Sequence, residues 1–371
     1  MIREKRKLNP VLKLTLKALC VLSLSCVQTP LTAADFGALP DPYTGNWEGT
    51  RSIEGRSEAY YATIIRYKQG YEVSFRSDPN PRTKPEVVVM ATVEGGELVL
   101  PPTLGLERSK VLEVQDDGVL VKASVWQGHI SDHRFSGTSR GSLNGPFSME
   151  RRAFEASPTL GEKAPSDAMI LFDGSNLDAW ESSKAPGDDI QWLIGNDRLL
   201  EVVSKLDGQK RKQDIRTKAL FRDYKLHLEF KLPYKPTATG QGRANSGIFH
   251  LGLYETQILD SFGLWGRDNE CGGIYKIREP DSNEGYPPGL WQTYDIEMKA
   301  PRFDASGEKV ANARITVFLN GKLIHDAVEL PNSTWGGYNK GKESSSGPII
   351  LQDHGNPVQY RNIWIRNLGE N

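Results

Sequence analysis

Three stretches of the chain gather side chains able to move protons. The first runs Asn245-Ser246-Gly247-Ile248-Phe249-His250-Leu251-Gly252-Leu253-Tyr254-Glu255-Thr256-Gln257-Ile258-Leu259-Asp260-Ser261. On a regular strand Glu255 and Gln257 share one face, about 7 Å apart by strand rise. Asp260 has the opposite parity, and one β-bulge between Gln257 and Asp260 brings it onto that face. Two carboxyl groups on one wall can serve as acid and base. The competing reading is the exposed polar face of an outer strand. In the second stretch, Trp291–Met298, Asp295 and Glu297 line one face and Tyr294, Ile296 and Met298 the other. That pattern reads as a solvated face over a buried one. In the third, Gln352, Asp353 and His354 end an apolar strand just before Gly355. Strand ends and the loops after them commonly carry functional residues, and His354 is the natural proton carrier near neutral pH. Its structural alternative is a histidine capping a turn. The next strand, Val358–Ile365, carries Arg361, placed either to pair with a site carboxylate or to sit outside.

Other chemistries lack their residues. The chain has no phosphate-binding glycine loop with its Lys-Ser/Thr and no nucleophile elbow. Its six histidines show no paired zinc-ligand spacing with Cys or Glu. No cofactor is called for, and a divalent cation such as calcium, held by Asp and backbone carbonyls, stays compatible with the sequence. Cys271 lacks a CxxC partner and reads as a buried thiol, not a nucleophile. With 46 basic against 47 acidic residues, the chain carries none of the basic excess of a nucleic-acid binder.

The elements that must position these groups are strands. Period-2 alternation recurs along the chain, and stretches with helical apolar spacing are lacking. In Tyr224–Leu232, Tyr224, Leu226, Leu228, Phe230 and Leu232 point one way and Lys225, His227, Glu229 and Lys231 the other, the pattern of a half-buried antiparallel strand. Asn320-Gly321, Asp117-Gly118 and Gly95-Gly96 mark hairpin turns. The Pro-, Ser- and charge-rich run 156–167 separates a small antiparallel β-domain, 41–155, from a larger β-sandwich, 168–371. The small domain opens Gly45-Asn46-Trp47-Glu48-Gly49. A Gly-x-Trp in a first strand suits a lipocalin-like up-and-down barrel, with the Trp more a plug for one end than part of a ligand pocket.

Residues 1–34 read as a secretory signal peptide. Arg3, Lys5, Arg6, Lys7, Lys13 and Lys17 precede an apolar run, Ala18–Val27, and the small residues Thr32, Ala33 and Ala34 follow. The run is too short to span a bilayer, which needs about 20 helical residues. Ser23 stands where a lipoprotein signal needs Leu before Cys26. The expectation is an exported protein, periplasmic or secreted, with no transmembrane anchor. Cys20 and Cys26 leave with the peptide, so Cys271 has no partner for an internal disulfide.

The sequence resembles the 3-keto-disaccharide hydrolase family over about residues 168–368. The resemblance rests on ordered blocks: Leu171-Phe172-Asp173-Gly174 with Leu177 and Trp180; Asn245-Ser246-Gly247-Ile248-Phe249; and Tyr254-Glu255-Thr256-Gln257-Ile258-Leu259-Asp260-Ser261. Then come Cys271-Gly272-Gly273-Ile274-Tyr275, Pro288-Gly289-Leu290-Trp291-Gln292-Thr293-Tyr294-Asp295-Ile296, Ala300-Pro301-Arg302-Phe303-Asp304 and Asn320-Gly321. Leu351-Gln352-Asp353-His354-Gly355 and Tyr360-Arg361-Asn362-Ile363-Trp364-Ile365 close the series. It implies an all-β fold, a concanavalin A-like jelly-roll sandwich, here preceded by the small β-domain. Leu251 stands where many members carry an Arg or other polar residue before the glycine of that strand, with Leu253 beyond it.

The family's chemistry implies a glycoside substrate with a ketone at C3, which acidifies the C2 proton. A base removes that proton, the C1 substituent leaves, and water adds back. On this reading Glu255 or Asp260 is the base and His354 the acid or proton shuttle. Gln257, Gln352, Asp353 and Arg361 bind or orient substrate, and Tyr275 and Trp291 stack on sugar faces. Two rivals stand beside it. One is a non-catalytic carbohydrate-binding module, since fold alone does not imply cleavage. The other is a conventional glucanase. Glu255-x-Gln257-x-x-Asp260 copies the spacing of the family 16 glucanase strand but replaces its middle acid with Gln and its last Glu with Asp.

Overall fold

The computed structural model describes residues 36–80, 82–105, 124–141, 145–203, 205–206, 209–210, 212–334 and 342–369. The expected signal peptide and the expected turn at Asp117-Gly118 lie outside the described residues.

Alternating apolar residues build the first unit. Eight strands, Gly45–Ile53, Arg56–Tyr67, Gly70–Arg76, Val87–Glu94, Glu97–Gly105, Ser124–Ser131, Arg134–Gly141 and Gly145–Arg151, pair antiparallel in sequence order. The first pairs back with the last, which closes the barrel. Gly95 and Gly96 turn the fourth strand into the fifth with φ of 58° and 88°, a left-handed region that a side chain would disfavour. The inward positions carry Trp47, Tyr60, Phe75, Trp126, Phe135 and Phe147, all buried. Phe75 stacks on Trp126 at 4.3 Å between centroids, and Trp47 donates its indole N–H to the Tyr43 carbonyl. Each buried ring of this kind contributes about 1.5–3 kcal/mol through area removed from water. Trp47 is thus a packed core residue of the barrel, as the Gly-x-Trp pattern suggested.

The second unit is two stacked antiparallel sheets. The smaller has the order Trp180–Ser182, Ile215–Thr217, Ile350–Leu351, Ser246–His250, Tyr254–Ile258. The larger runs Leu193–Ile194, Leu200–Glu201, Gln359–Asn367, Tyr224–Lys231, Trp291–Lys299, Ala313–Leu319, Lys322–Leu330, with Met169–Phe172 also on Gln359–Asn367. Tyr224, Leu226, Leu228 and Phe230 face inward against Ile248, Tyr254, Ile258 and Leu351 in one core. The Asn320-Gly321 turn joins Ala313–Leu319 to Lys322–Leu330, as its sequence predicts.

One expectation needs correction. The polar face of Tyr224–Lys231 is not solvated throughout: Lys225 is exposed, but His227 and Glu229 are fully buried. The run 156–167 lies over them. Gly161 N–H donates to Glu229 Oε1 at 2.6 Å, and Thr159 Oγ1 donates to Asp295 Oδ2 at 2.6 Å. A β-bulge faces this spot, with Asn362 at φ 46°. It lets Arg361 and Asn362 both reach Glu229, at 2.6 and 2.8 Å.

The barrel docks on the loops after Ile258. Arg82 donates to the carbonyls of Trp265, Gly266 and Asp281. Phe154 meets Phe262 edge to face. Ile65 and Thr63 occupy the space a side chain at Gly263 would need.

Candidate active site

The smaller sheet sorts its residues by parity. Ser246, Ile248 and His250 point into the sandwich: Ser246 Oγ meets Tyr360 Oη at 2.7 Å, and His250 bridges Tyr224 Oη and Thr256 Oγ1. Full burial drops His250 to a pKa of about 3, so it is a neutral core residue. The alternate positions, Asn245, Phe249, Glu255 and Gln257, line a pit of about 80 Å³ on the sheet's outer face, with Gln241, Tyr275, Gln352 and His354. The register pairs Phe249 with Glu255 and Gly247 with Gln257.

Glycine at 247 is a steric requirement of this face. A Cβ there would sit 2.3 Å from Glu255 Oε1. The Glu255 side chain lies across the gap that Gly247 leaves. Its strand is otherwise an edge, and two segments cover it. Thr334 Oγ1 accepts Glu255 N–H at 2.9 Å. Along the same edge Tyr275 N–H donates to the Glu255 carbonyl, and Gln257 exchanges backbone hydrogen bonds with Gly272 and Gly273. That second segment brings Tyr275 over the pit.

Glu255 is 4% exposed, and among the described residues its carboxyl group has no hydrogen-bond partner. Burial pushes its pKa up to about 8; Asp214 raises it further, and Lys212 opposes them. Asp214, itself raised chiefly by burial, accepts the Asp353 N–H at 2.9 Å. His354 is exposed at the rim and titrates below the usual histidine range, through partial desolvation and then Lys212. A neutral imidazole there can take a proton on one nitrogen and give one from the other.

The structure gathers Glu255, Gln257, Tyr275, Gln352 and His354 in one cleft. It does not bring in the other four expected residues. Asp260 lies beyond the strand end, which comes at Ile258 with no bulge to turn it. A buried guanidinium fixes it instead: Arg243 Nη2 stands 2.9 Å from Asp260 Oδ2, and Arg243 Nε donates to its carbonyl. Asp353 is fully buried, and its carboxylate accepts the Gln213 and Gly355 N–H groups, tying two loops together. Trp291 and Arg361 are on the larger sheet, where Arg361 lies over the Trp291 ring at 4.1 Å and binds Glu229. Sequence reasoning in turn gave no role to Gln241, Asn245, Phe249 or Asp214. Asn245 was readable: it shares the parity of Gly247 and Phe249, and so the face of Glu255.

A larger concavity of about 410 Å³ lies on the larger sheet under the 156–167 run, with Trp364, Phe318, Thr159 and Asp295 in its walls. Next to it, Glu162, His227 and Asp295 bring ligand-type atoms within 4.8 Å of one another. Two of them, His227 and Asp295, are already engaged with each other, and Glu162 is exposed. Burial alone would lower His227, but Asp295 at 2.6 Å and Glu229 at 3.7 Å outweigh it and lift its pKa to about 9. The group is a buried imidazolium between two carboxylates, and it holds the linker.

The second unit is a two-sheet sandwich with a carboxyl-bearing cleft on its smaller sheet, and comparison with known proteins places it in a family. Residues 167–366 match the family described as the 3-keto-alpha-glucoside-1,2-lyase-like domain, and the chain belongs to that family. A provisionally named glycosyl hydrolase of Parabacteroides distasonis is 38% identical to the chain, covering 55% of it and 85% of its own length, with a TM-score of 0.49. A second such protein from that organism is 19% identical, over 54% of this chain and 94% of its own, with a TM-score of 0.42. Among curated proteins none matches the chain.

Proposed function

We propose that the Glu255 cleft cleaves 3-keto-glycosides by elimination across C1 and C2, and that the chain does so after export. The observation that carries the reading is a buried, unpartnered carboxyl group on the wall of a polar pit. Removing a proton next to a ketone needs a base stronger than an ordinary carboxylate. A carboxyl whose pKa is about 8 is better matched to that task. In the step, Glu255 takes the C2 proton and the C2–H electrons move into the C2–C3 bond as the ketone becomes an enolate. The ketone then reforms, C1=C2 forms, and the C1–O bond breaks. His354 relays a proton to the departing oxygen. Water added across C1=C2 completes net hydrolysis. Gln257 and Tyr275 are the polar groups on hand for the enolate oxygen.

The cleft supports elimination over double displacement. A retaining glycosidase needs two carboxyl groups flanking the bond, and Glu255 is the one carboxyl group among the lining residues. The basic, apolar and small-residue order of 1–34 supports export.

The test incubates the purified protein with a 3-keto-disaccharide and with the same unoxidised disaccharide, with and without chelator. Released monosaccharide is followed. Cleavage of the keto form alone, lost in Glu255→Gln, is the expected result. Chelator sensitivity would add a divalent cation to the mechanism. Binding of both sugars without cleavage of either would make the chain a carbohydrate-binding module.

A further inference from the structure

We infer that Asn245 and Gln352 are the specificity-determining pair of this cleft, reading two hydroxyl groups of the sugar ring held against Glu255. This rests on the glycoside reading above and adds to it which groups the ligand must carry and how it lies.

A chain of amides beside the cleft has forced orientations. Gln241 Nε2 donates to the Asn269 backbone carbonyl at 2.7 Å, and a carbonyl can only accept. Gln241 Oε1 is therefore the atom that faces Asn245, and it accepts from Asn245 Nδ2 at 2.8 Å. Asn245 is thereby fixed as well, and Oδ1 is its free atom. Asn245 is 3% exposed, and its Oδ1 has no donor among the described residues. Gln352 Oε1, in the same wall, is likewise buried without a donor. The two residues are held side by side: Ser246 Oγ donates to the Gln352 carbonyl at 2.7 Å, and Gln352 N–H to the Gly247 carbonyl at 3.0 Å.

Gln257 has the reverse polarity. Its Oε1 accepts the Ile258 N–H at 2.9 Å, so Nε2 is its outward atom, meeting Gln241 Oε1 at 3.4 Å. The cleft thus presents Asn245 Oδ1, an acceptor fixed by its amide chain, with the unpartnered Gln352 carboxamide beside it, and the Gln257 amide donor opposite. A buried acceptor without a donor destabilises the fold, and a bound group that supplies the proton relieves it. A hydroxyl can donate; a ketone oxygen cannot. Hydroxyl groups are therefore drawn to Asn245 and Gln352, and the ketone is turned toward Gln257.

The experiment uses methyl 3-keto-α-glucoside and its 2-, 4- and 6-deoxy analogues. In the unmodified protein, loss of a hydroxyl that is read should lower kcat/KM about 10- to 100-fold. Gln352→Met and Asn245→Leu should each flatten the preference at one position of the ring, and not the same one. Thermal melts report whether Asn245→Leu folds; Gln352 is half-buried at a strand end, so Gln352→Met stands as the second variant. Folded variants that keep the original ratios would overturn the inference. If no analogue is cleaved, the same ratios are read as Kd by calorimetry on the Glu255→Gln protein. Hydroxyl-dependent binding there sustains the pair while the elimination reading fails, and binding that ignores the hydroxyls removes the pair.

Discussion

Replacing Glu255 by Gln should make the protein inactive and, at neutral pH, more stable. The folded group holds its proton up to about pH 8, whereas the ordinary value is 4.5. Below pH 4.5 both folded and unfolded chains are protonated at this site and it adds no pH dependence. As pH rises further, the unfolded chain loses the proton first, so each pH unit lowers stability by about 1.4 kcal/mol. By pH 7 the accumulated penalty is about 3 kcal/mol, and it levels off above pH 8. The amide in Glu255→Gln never ionises and escapes this slope. The assay is denaturant and thermal unfolding of both proteins from pH 5 to 8.5, with inactivity checked on a 3-keto-glycoside. The stability difference should widen with pH, by roughly 6–12 °C in Tm at pH 7 for a unit of this size. The amide has its own desolvation cost, so the slope is the readout and not the offset. Parallel pH profiles would refute the placement of a protonated carboxyl group in this pit.

Three further outcomes follow from the same geometry. The pH dependence of kcat/KM should rise toward a limb near pH 8, and Asp214→Asn, which removes the neighbouring charge, should move that limb to lower pH; a limb unmoved by the change excludes Asp214 from tuning Glu255. Gly247→Ala places a methyl group where Glu255 Oε1 lies and should lower kcat at least about tenfold while KM changes little, as steady-state kinetics would show. Arg243→Met strands the buried Asp260 charge and should cost about 3–5 kcal/mol in unfolding experiments, with turnover per folded molecule retained because Asp260 is outside the cleft.

The parts of the site that could be read from sequence are those governed by period-2 parity. Glu255 and Gln257 share a face because their strand is regular, and His354 and Gln352 join them because the adjacent strand ends there. Asp260 failed because parity stops at a strand end, and a distant arginine decided its direction. Trp291 and Arg361 failed for a different reason. Their spacing along the chain gives no sheet assignment, and the strand order puts them on the larger sheet, not the smaller one that carries the cleft. Asn245 headed the same stretch but was given no role, although it shares the parity of Gly247 and Phe249. The buried state of His227 and Glu229 was illegible locally, because the cover comes from a segment that composition marks as a connector. The barrel was legible through Trp47, which the Gly-x-Trp opening marked as a core plug.

That connector bears on how the chain can be divided. A cut at residue 167, where composition changes, would strip Glu229 of the Gly161 N–H and Asp295 of the Thr159 hydroxyl. Ser157, which meets Thr293 at 2.6 Å, would go with them. The sandwich left behind would expose a charged trio that was built to be roofed. A self-sufficient fragment must begin ahead of Ser157, so the segment between the two units belongs, by its hydrogen bonds, to the second. A sequence comparison starting at residue 167 therefore crops the foundation of the unit it identifies.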